Sequence, residues 1–384
     1  MLLSADRILT THVGSLPRNA VLSDLLIRRE NGEAIDTVAL QAEIDSAVAD
    51  VVDRQVKAGV DIGNDGEQPR VGFQTYVPQR MSGFGGESKR PMSRELKEFP
   101  ELIELQRLRF PNRGRSRNAA AAIGAVRYLD TKPVDEDTAR LKRHAQKRFA
   151  QGFMTAASPG IISTTLINAH YDSDESYLMA LAQEMRTEYR AIVDAGLILQ
   201  IDAPDLAMAR HMNFQDKSDA EFVKVCALHV AAINRGLEGI PREQVRLHVC
   251  WGNSDTPHLY DIALAQVLPV LLEAKVGALS IEFANPRHAH EYDVLKRFPL
   301  PKDMALIPGV IETTSNIVEH PELVARRIEE AVAAVGDRDR VIASTDCGFG
   351  TFAGREFVIA PVVWKKLETL RQGADIATKR LWGR

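Results

Sequence analysis

The sequence predicts a closed (β/α)8 barrel with one inserted excursion between its second and third strands, and three observations carry that expectation. Short apolar, β-branched runs alternate with amphipathic stretches rich in Ala, Leu, Glu and Arg, which is the pattern of a parallel α/β fold. Eight such runs occur, at residues 8–14, 60–65, 153–158, 197–202, 245–251, 278–283, 305–311 and 341–346. Nearly every run ends in a polar tail marked by Gly or Pro, and in a parallel barrel such tails converge on the mouth where barrel enzymes keep their chemistry. An open doubly wound sheet would also gather the tails on one edge; the number of strands favours closure.

Taken in order, the first run leads into His12-Val13-Gly14-Ser15 and the second into Asn64-Asp65-Gly66-Glu67. Residues 70–140 then carry Gly83, Gly85, Gly86, a ninth apolar run at 121–128 and many charges of both signs, which reads as a hairpin and lid. The helical pattern at 176–195 precedes the fourth run, which ends in Asp202-Ala203-Pro204-Asp205. A second helical stretch, 219–237, precedes His248-Val249-Cys250-Trp251-Gly252-Asn253. The sixth run ends in Glu282-Phe283-Ala284-Asn285-Pro286, and the seventh contains Pro308-Gly309. Helical residues 321–335 lead to the last run and its tail, Asp346-Cys347-Gly348. The expected organisation is one catalytic domain over residues 1–384.

Composition excludes several classes. The 384 residues are 45% hydrophobic and 26% charged, as in ordinary globular proteins. A net charge of −4 offers no concentrated basic face for nucleic acid. No apolar run approaches the about 18 residues of a membrane span. Three cysteines make no disulfide framework, and the N-terminus turns polar too early for a signal peptide, so a cytoplasmic protein is expected. No P-loop or strand–GxGxxG–helix arrangement supports a nucleotide cofactor.

His248 and Cys250 lie two apart on a predicted strand and therefore point to one face. Cys347 and Glu282 sit at the ends of two other strands. Together these four residues offer two sulfurs, one nitrogen and one carboxylate oxygen, which suit four-coordinate zinc. Cys226, within the helical pattern, reads as core. His288 and His290 read as loop residues near the pocket rather than ligands.

The His-x-Cys pair, the later Glu and the final Asp-Cys-Gly resemble the zinc site of cobalamin-independent methionine synthase, in its catalytic barrel. The phrases Thr11-His12-Val13-Gly14-Ser15-Leu16-Pro17-Arg18, Leu247-His248-Val249-Cys250-Trp251-Gly252-Asn253 and Ser344-Thr345-Asp346-Cys347-Gly348 look especially like a short single-barrel branch that includes epoxyalkane:coenzyme M transferase. The resemblance implies that Val13, Gly14 and Ser15 hold a substrate carboxylate and that Glu67 and Asp202 accept its amino group. It further implies zinc-dependent S-alkylation of a small thiol, with methylation of homocysteine to methionine as the leading reading and alkylation of coenzyme M as the alternative. The alkyl donor could be a methylfolate, a methyl-corrinoid or an epoxide, and an oligomer is compatible. A barrel with purely structural zinc is the alternative.

Such chemistry needs a thiolate, which zinc coordination supplies at about 2.3 Å. A carboxylate such as Glu282 is the ligand suited to yield its place to the thiol. The leaving atom then needs a proton. The family's histidine on the loop after the seventh strand is missing from Pro308-Gly309-Val310-Ile311-Glu312-Thr313-Thr314-Ser315-Asn316. Glu312 and His12, with His258 and Asp346, are the substitute candidates. Asp205 reads as a loop or helix-start residue. The run Arg107, Arg109, Arg113, Arg115 and Arg117 follows Glu98, Glu101 and Glu104 and reads as a solvated helix and loop.

Overall fold

Strands buried along their whole length need cover on both faces, and a parallel barrel wrapped in helices supplies it. The computed structural model describes residues 1–383 apart from 89, 112–118 and 146, and the strands of its barrel are buried along most of their length. Ten strands occur among the described residues: β1 (Leu9–Thr10), β2 (Ile62–Gly63), β3 (Met81–Gly85), β4 (Ala121–Tyr128), β5 (Gln151–Ala157), β6 (Ile198–Asp202), β7 (Val245–Val249), β8 (Ala278–Glu282), β9 (Ala305–Ile311) and β10 (Ile342–Thr345). Eight of them form one sheet in the order β1-β10-β9-β8-β7-β6-β5-β2. Every pairing in it is parallel, and a parallel bridge between Thr11 and Ile62 joins its two ends into a closed barrel.

The amphipathic stretches form the outer helices, including Asp174–Asp194, Asp219–Gly236 and Pro321–Val335. Their ends are written locally. Ser218 and Glu221 make a reciprocal capping box, and Pro321 opens a helix that Gly336 closes at φ 74°. No helix among the described residues is long and apolar enough to cross a membrane.

β3 and β4 pair antiparallel outside the barrel, in the chain between β2 and β5. The segment that follows β3 reaches over the mouth. There Glu95 accepts from the Leu259 N–H at 2.7 Å and Lys97 donates to Gln215 at 2.9 Å. Arg107 pairs with Glu104 in the open, and Arg109 reaches Asp255 at 2.8 Å. Arg113, Arg115 and Arg117 lie outside the described residues.

Inside the barrel the floor is apolar: Leu9, Ile62, Phe153, Ile198, Ile307 and Ile342 pack together. Above it lies one buried cation. Arg246 sits 3.6 Å over the Phe153 ring and donates to Gln200 at 2.7 Å, to Thr11 at 3.0 Å and to the His12 carbonyl at 3.0 Å. Because side chains alternate along a strand, Arg246 and His248 share the inward face of β7, as Gln200 and Asp202 share that of β6. Cys250 continues the β7 series just past the strand. This polar layer separates the floor from the site above.

Candidate functional site

The β1, β7 and β10 tails bring their polar residues together at the barrel mouth. One ligand atom from each of His248, Cys250 and Cys347 lies within 4.8 Å of the others, and all three residues are buried. Cys347 Sγ is 3.9 Å from Cys250 Sγ and 3.9 Å from His248 Nε2. Two sulfurs on one tetrahedral ion would lie about 3.8 Å apart, so the spacing fits a metal with little adjustment. Burial and Arg246 push the His248 imidazole down to about 3, which leaves it neutral with a lone pair to give. Cys250 is pushed well up by Cys347, burial and Glu282, as expected of a buried thiol crowded by a second sulfur and a carboxylate. The donor set is that of a borderline-soft divalent ion.

Glu282 stands outside this trio. Its carboxylate accepts from the Trp251 N–H at 2.5 Å and from Asn285 at 3.1 Å. Burial pushes its pKa up. Cys226 is a core residue of the Asp219–Gly236 helix.

A cavity of about 460 Å3 opens beside the trio, and Val13, Ser15, Glu67, Asp202, His248 and Cys347 are among its lining residues. Gly14 lies between Val13 and Ser15, and its lack of a side chain matters. At φ 152°, a Cβ there would stand 2.7 Å from Thr155 and 2.9 Å from Glu67 Oε1. Gly348 lets Cys347 approach in the same way, since a Cβ would meet Ser15 Oγ at 2.0 Å.

Glu67 and Asp202 give the cavity its acidic groups. Oε1 of Glu67 accepts from Thr155 at 2.8 Å, whereas Oε2 is buried with no hydrogen-bond partner among the described residues. Asp202 accepts from Gln200 at 2.6 Å. Burial and the neighbouring Glu67 push Asp202 well above the usual carboxylate range. Two buried carboxylates with one free oxygen between them call for a cation.

The remaining candidates are placed differently. His12 lines neither this cavity nor the second one described below. Its Nε2 bonds Gln55 at 2.8 Å, and burial lowers its pKa to about 4, so it carries no proton to give at neutral pH. Glu312 is caged by its own loop: Thr314 and Ser315 donate to its carboxylate, with Lys366 4.0 Å away. Burial alone would raise its pKa, but these contacts hold it below the usual value, as an anion rather than a donor. Asp205 lies in the first turn of a short 3-10 helix, Pro204–Leu206, as a helix-start residue should, and it is buried there, joining Ser158 at 2.5 Å to His229 at 2.8 Å. His288 is buried away from both cavities and stacks on Trp251 at 3.8 Å.

Sequence reasoning passed over Arg246 and Gln200, although both sit two residues before a site residue on the same strand face. It also passed over Asp261, which meets His211, His258 and His288. No local pattern announces that gathering.

Comparison with known proteins identifies the family and the fold. Residues 130–363 match the family model described as cobalamin-independent synthase, catalytic domain. The chain is 25% identical to a methionine synthase of Thermococcus kodakarensis, over 97% of this chain and 94% of that one. It is 26% identical to 2-hydroxypropyl-CoM lyase of Xanthobacter autotrophicus, over 88% of each. A B12-independent methionine synthase from Shewanella sp. W3-18-1 has the same fold, with a TM-score of 0.73 at 22% identity, covering 98% of this chain and 100% of that one. The chain belongs to the cobalamin-independent synthase family, in which it represents the catalytic domain.

Proposed function

We propose that this protein is a zinc-dependent S-alkyltransferase whose acceptor is an amino-acid thiol, with homocysteine methylation to methionine as the leading reaction. The observation that carries the reading is the shared cavity: the Glu67–Asp202 pair lies in the same space as His248, Cys250 and Cys347. A substrate with an ammonium at one end and a thiol a few bonds away satisfies both ends at once.

His248, Cys250 and Cys347 would hold zinc, with Glu282 in reserve as a ligand that occupies the metal only when no substrate does. Bound there, zinc would lower the pKa of the incoming thiol so that it reacts as the thiolate. The protein's own groups do the rest. Glu67 Oε2 takes the ammonium, and Asp202, relieved of its neighbour's repulsion by that cation, ionises alongside. Val13, Gly14 and Ser15 pass beside the amino-acid end, where the glycine keeps the wall low. Arg246 fixes Gln200, and Gln200 in turn fixes Asp202.

The relationship to 2-hydroxypropyl-CoM lyase supports a second reading, in which the thiol carries a sulfonate. Two buried carboxylates oppose a sulfonate in this cavity, so the amino-acid thiol is preferred. Calorimetric titration of the zinc-loaded protein decides between them. Homocysteine should bind, and 2-mercaptoethanesulfonate should bind at least about tenfold more weakly, a difference of about 1.4 kcal/mol. Tighter binding of the sulfonate would reverse the assignment.

A further inference from the structure

A second cavity, of about 410 Å3, meets the first at Cys347 and Asn253 and is lined by His258, Glu282, Arg287, Glu312 and Asp346 among others. His258 is the unusual member. Its Nδ1 lies 2.8 Å from Asp261 Oδ2 and its Nε2 lies 3.1 Å from the Ser254 carbonyl oxygen. With Asp261 ionised, a carboxylate and a carbonyl can only accept, so both ring nitrogens carry hydrogen and the ring is an imidazolium. Burial alone would discharge it, but Asp261 raises its pKa to about 9.

The backbone singles out the same residue. Among the described residues three non-glycine positions have positive φ: Glu67, Lys147 and His258. Glu67 lines the first cavity and His258 the second, both at φ 54°. A histidine in the left-handed region costs free energy, and such positions gather at functional sites. Asp261 Oδ2 is itself held by His288 Nε2 at 2.9 Å besides His258, and His211 Nδ1 approaches its other oxygen at 3.2 Å. Asp346 Oδ1, at the same cavity, is committed to accepting from the Phe283 and Ala284 N–H groups at 3.0 and 2.9 Å, and two further groups are excluded as donors. Glu312 is held as an anion by its loop, and the Arg287 guanidinium does not release a proton.

We propose that His258 is the proton donor of the alkyl transfer, acting from the second cavity on the leaving atom of the alkyl donor, with Asp261 as its positioning residue. The inference rests on the alkyltransferase reading above. The substrate thiolate sulfur forms a bond to the alkyl carbon as the bond from that carbon to the leaving atom breaks. The electron pair of the broken bond stays on the leaving atom, which takes the Nε2 proton of His258. The imidazole left behind keeps its Nδ1–H bond to Asp261 and is recharged from solvent. The donors that need this help leave through nitrogen or oxygen, as an N-methylated pterin or an epoxide does.

Donors that leave without a proton provide the test. The zinc-loaded wild type and His258→Asn, chosen because Asn tolerates positive φ, are compared in single turnovers with homocysteine. The donors are 5-methyltetrahydrofolate and epoxypropane on one side, and methylcobalamin and iodomethane on the other. Loss of a general acid should slow the nitrogen or oxygen donor about 100- to 10,000-fold. The reactions of methylcobalamin and iodomethane should change less than about tenfold, below the range of a lost general acid. Asp261→Asn should show the same split. Zinc content and homocysteine affinity, measured alongside, should stay at wild-type values. An equal loss with all donors, or no loss with any, overturns the assignment. So does a wild type that accepts only the donors that leave unprotonated. A wild type that shows no zinc-dependent alkylation even with iodomethane removes the alkyltransferase reading itself, a separate and recognisable failure.

Discussion

The thiols of Cys250 and Cys347 lie 3.9 Å apart although 97 positions separate them in the chain. Barrel closure is the cause: β7 and β10 point their C-terminal ends into one mouth, and neither pairs directly with the other. Cys347 and burial raise the pKa of the Cys250 thiol, so a divalent ion held here would relieve a cost that the fold itself imposes.

Cys250→Ser or Cys347→Ser should therefore remove most of the zinc and abolish turnover, while Cys226→Ser, buried in a helix, should keep both. Elemental analysis with a homocysteine alkylation assay checks this. Near-normal zinc in either of the first two variants contradicts the ligand set.

Glu67→Gln should raise the KM for homocysteine about 10- to 100-fold, the range expected when a charged hydrogen bond of about 1.5–3 kcal/mol is lost. Zinc content should not change, because Glu67 does not reach the metal trio. Steady-state kinetics with the amino-acid thiol and with a thiol lacking the amine separates the two effects, since only the first should respond.

Glu282→Gln should weaken zinc binding about 10- to 100-fold in the substrate-free protein, as changes just beyond the tight ligands do. The loss should shrink when homocysteine is present, because the incoming sulfur replaces the carboxylate. Competition with a chelator, with and without homocysteine, measures both values. Equal loss in the two conditions would remove the reserve-ligand role.

The histidines around Asp261 make stability depend on pH. Burial alone would lower the pKa of His258 and His288, but Asp261 acts on both, and Glu291 on His288, so each rises to about 9. The unfolded value is about 6.5, so the stabilisation is fully present below about pH 6.5 and is lost as pH rises through about 9. Urea unfolding between pH 6.5 and 9.5 should show wild-type stability falling more steeply than that of His288→Asn. Zinc affinity varies with pH in both proteins, so the difference between them isolates the histidine contribution.

Much of this was legible before any coordinates. Strand alternation puts His248 and Cys250 on one face, and the tail after the last strand delivers Cys347. The strand lengths were less legible. The first run reads as residues 8–14, yet β1 is Leu9–Thr10. Beyond Thr11 the chain leaves the ladder to build the Val13–Gly14–Ser15 wall, and apolar composition does not mark that departure. Arg246 was readable by the same alternation as His248, but an arginine on a buried strand runs against composition. The three histidines on Asp261 come from a short helix at residue 211 and from loops at 258 and 288, and only the closed barrel makes them neighbours. His12 lies outside both cavities because, just past β1, its ring faces the wall, where Gln55 holds it.

The central claim is that the metal site is open to a substrate thiol, and zinc X-ray absorption on the purified protein tests it most directly. Without substrate the zinc should show two sulfurs at about 2.3 Å with nitrogen and oxygen completing the shell. Addition of homocysteine should raise the count to three sulfurs. A shell that stays at two sulfurs with saturating homocysteine would contradict the account and leave a closed, structural ion in its place.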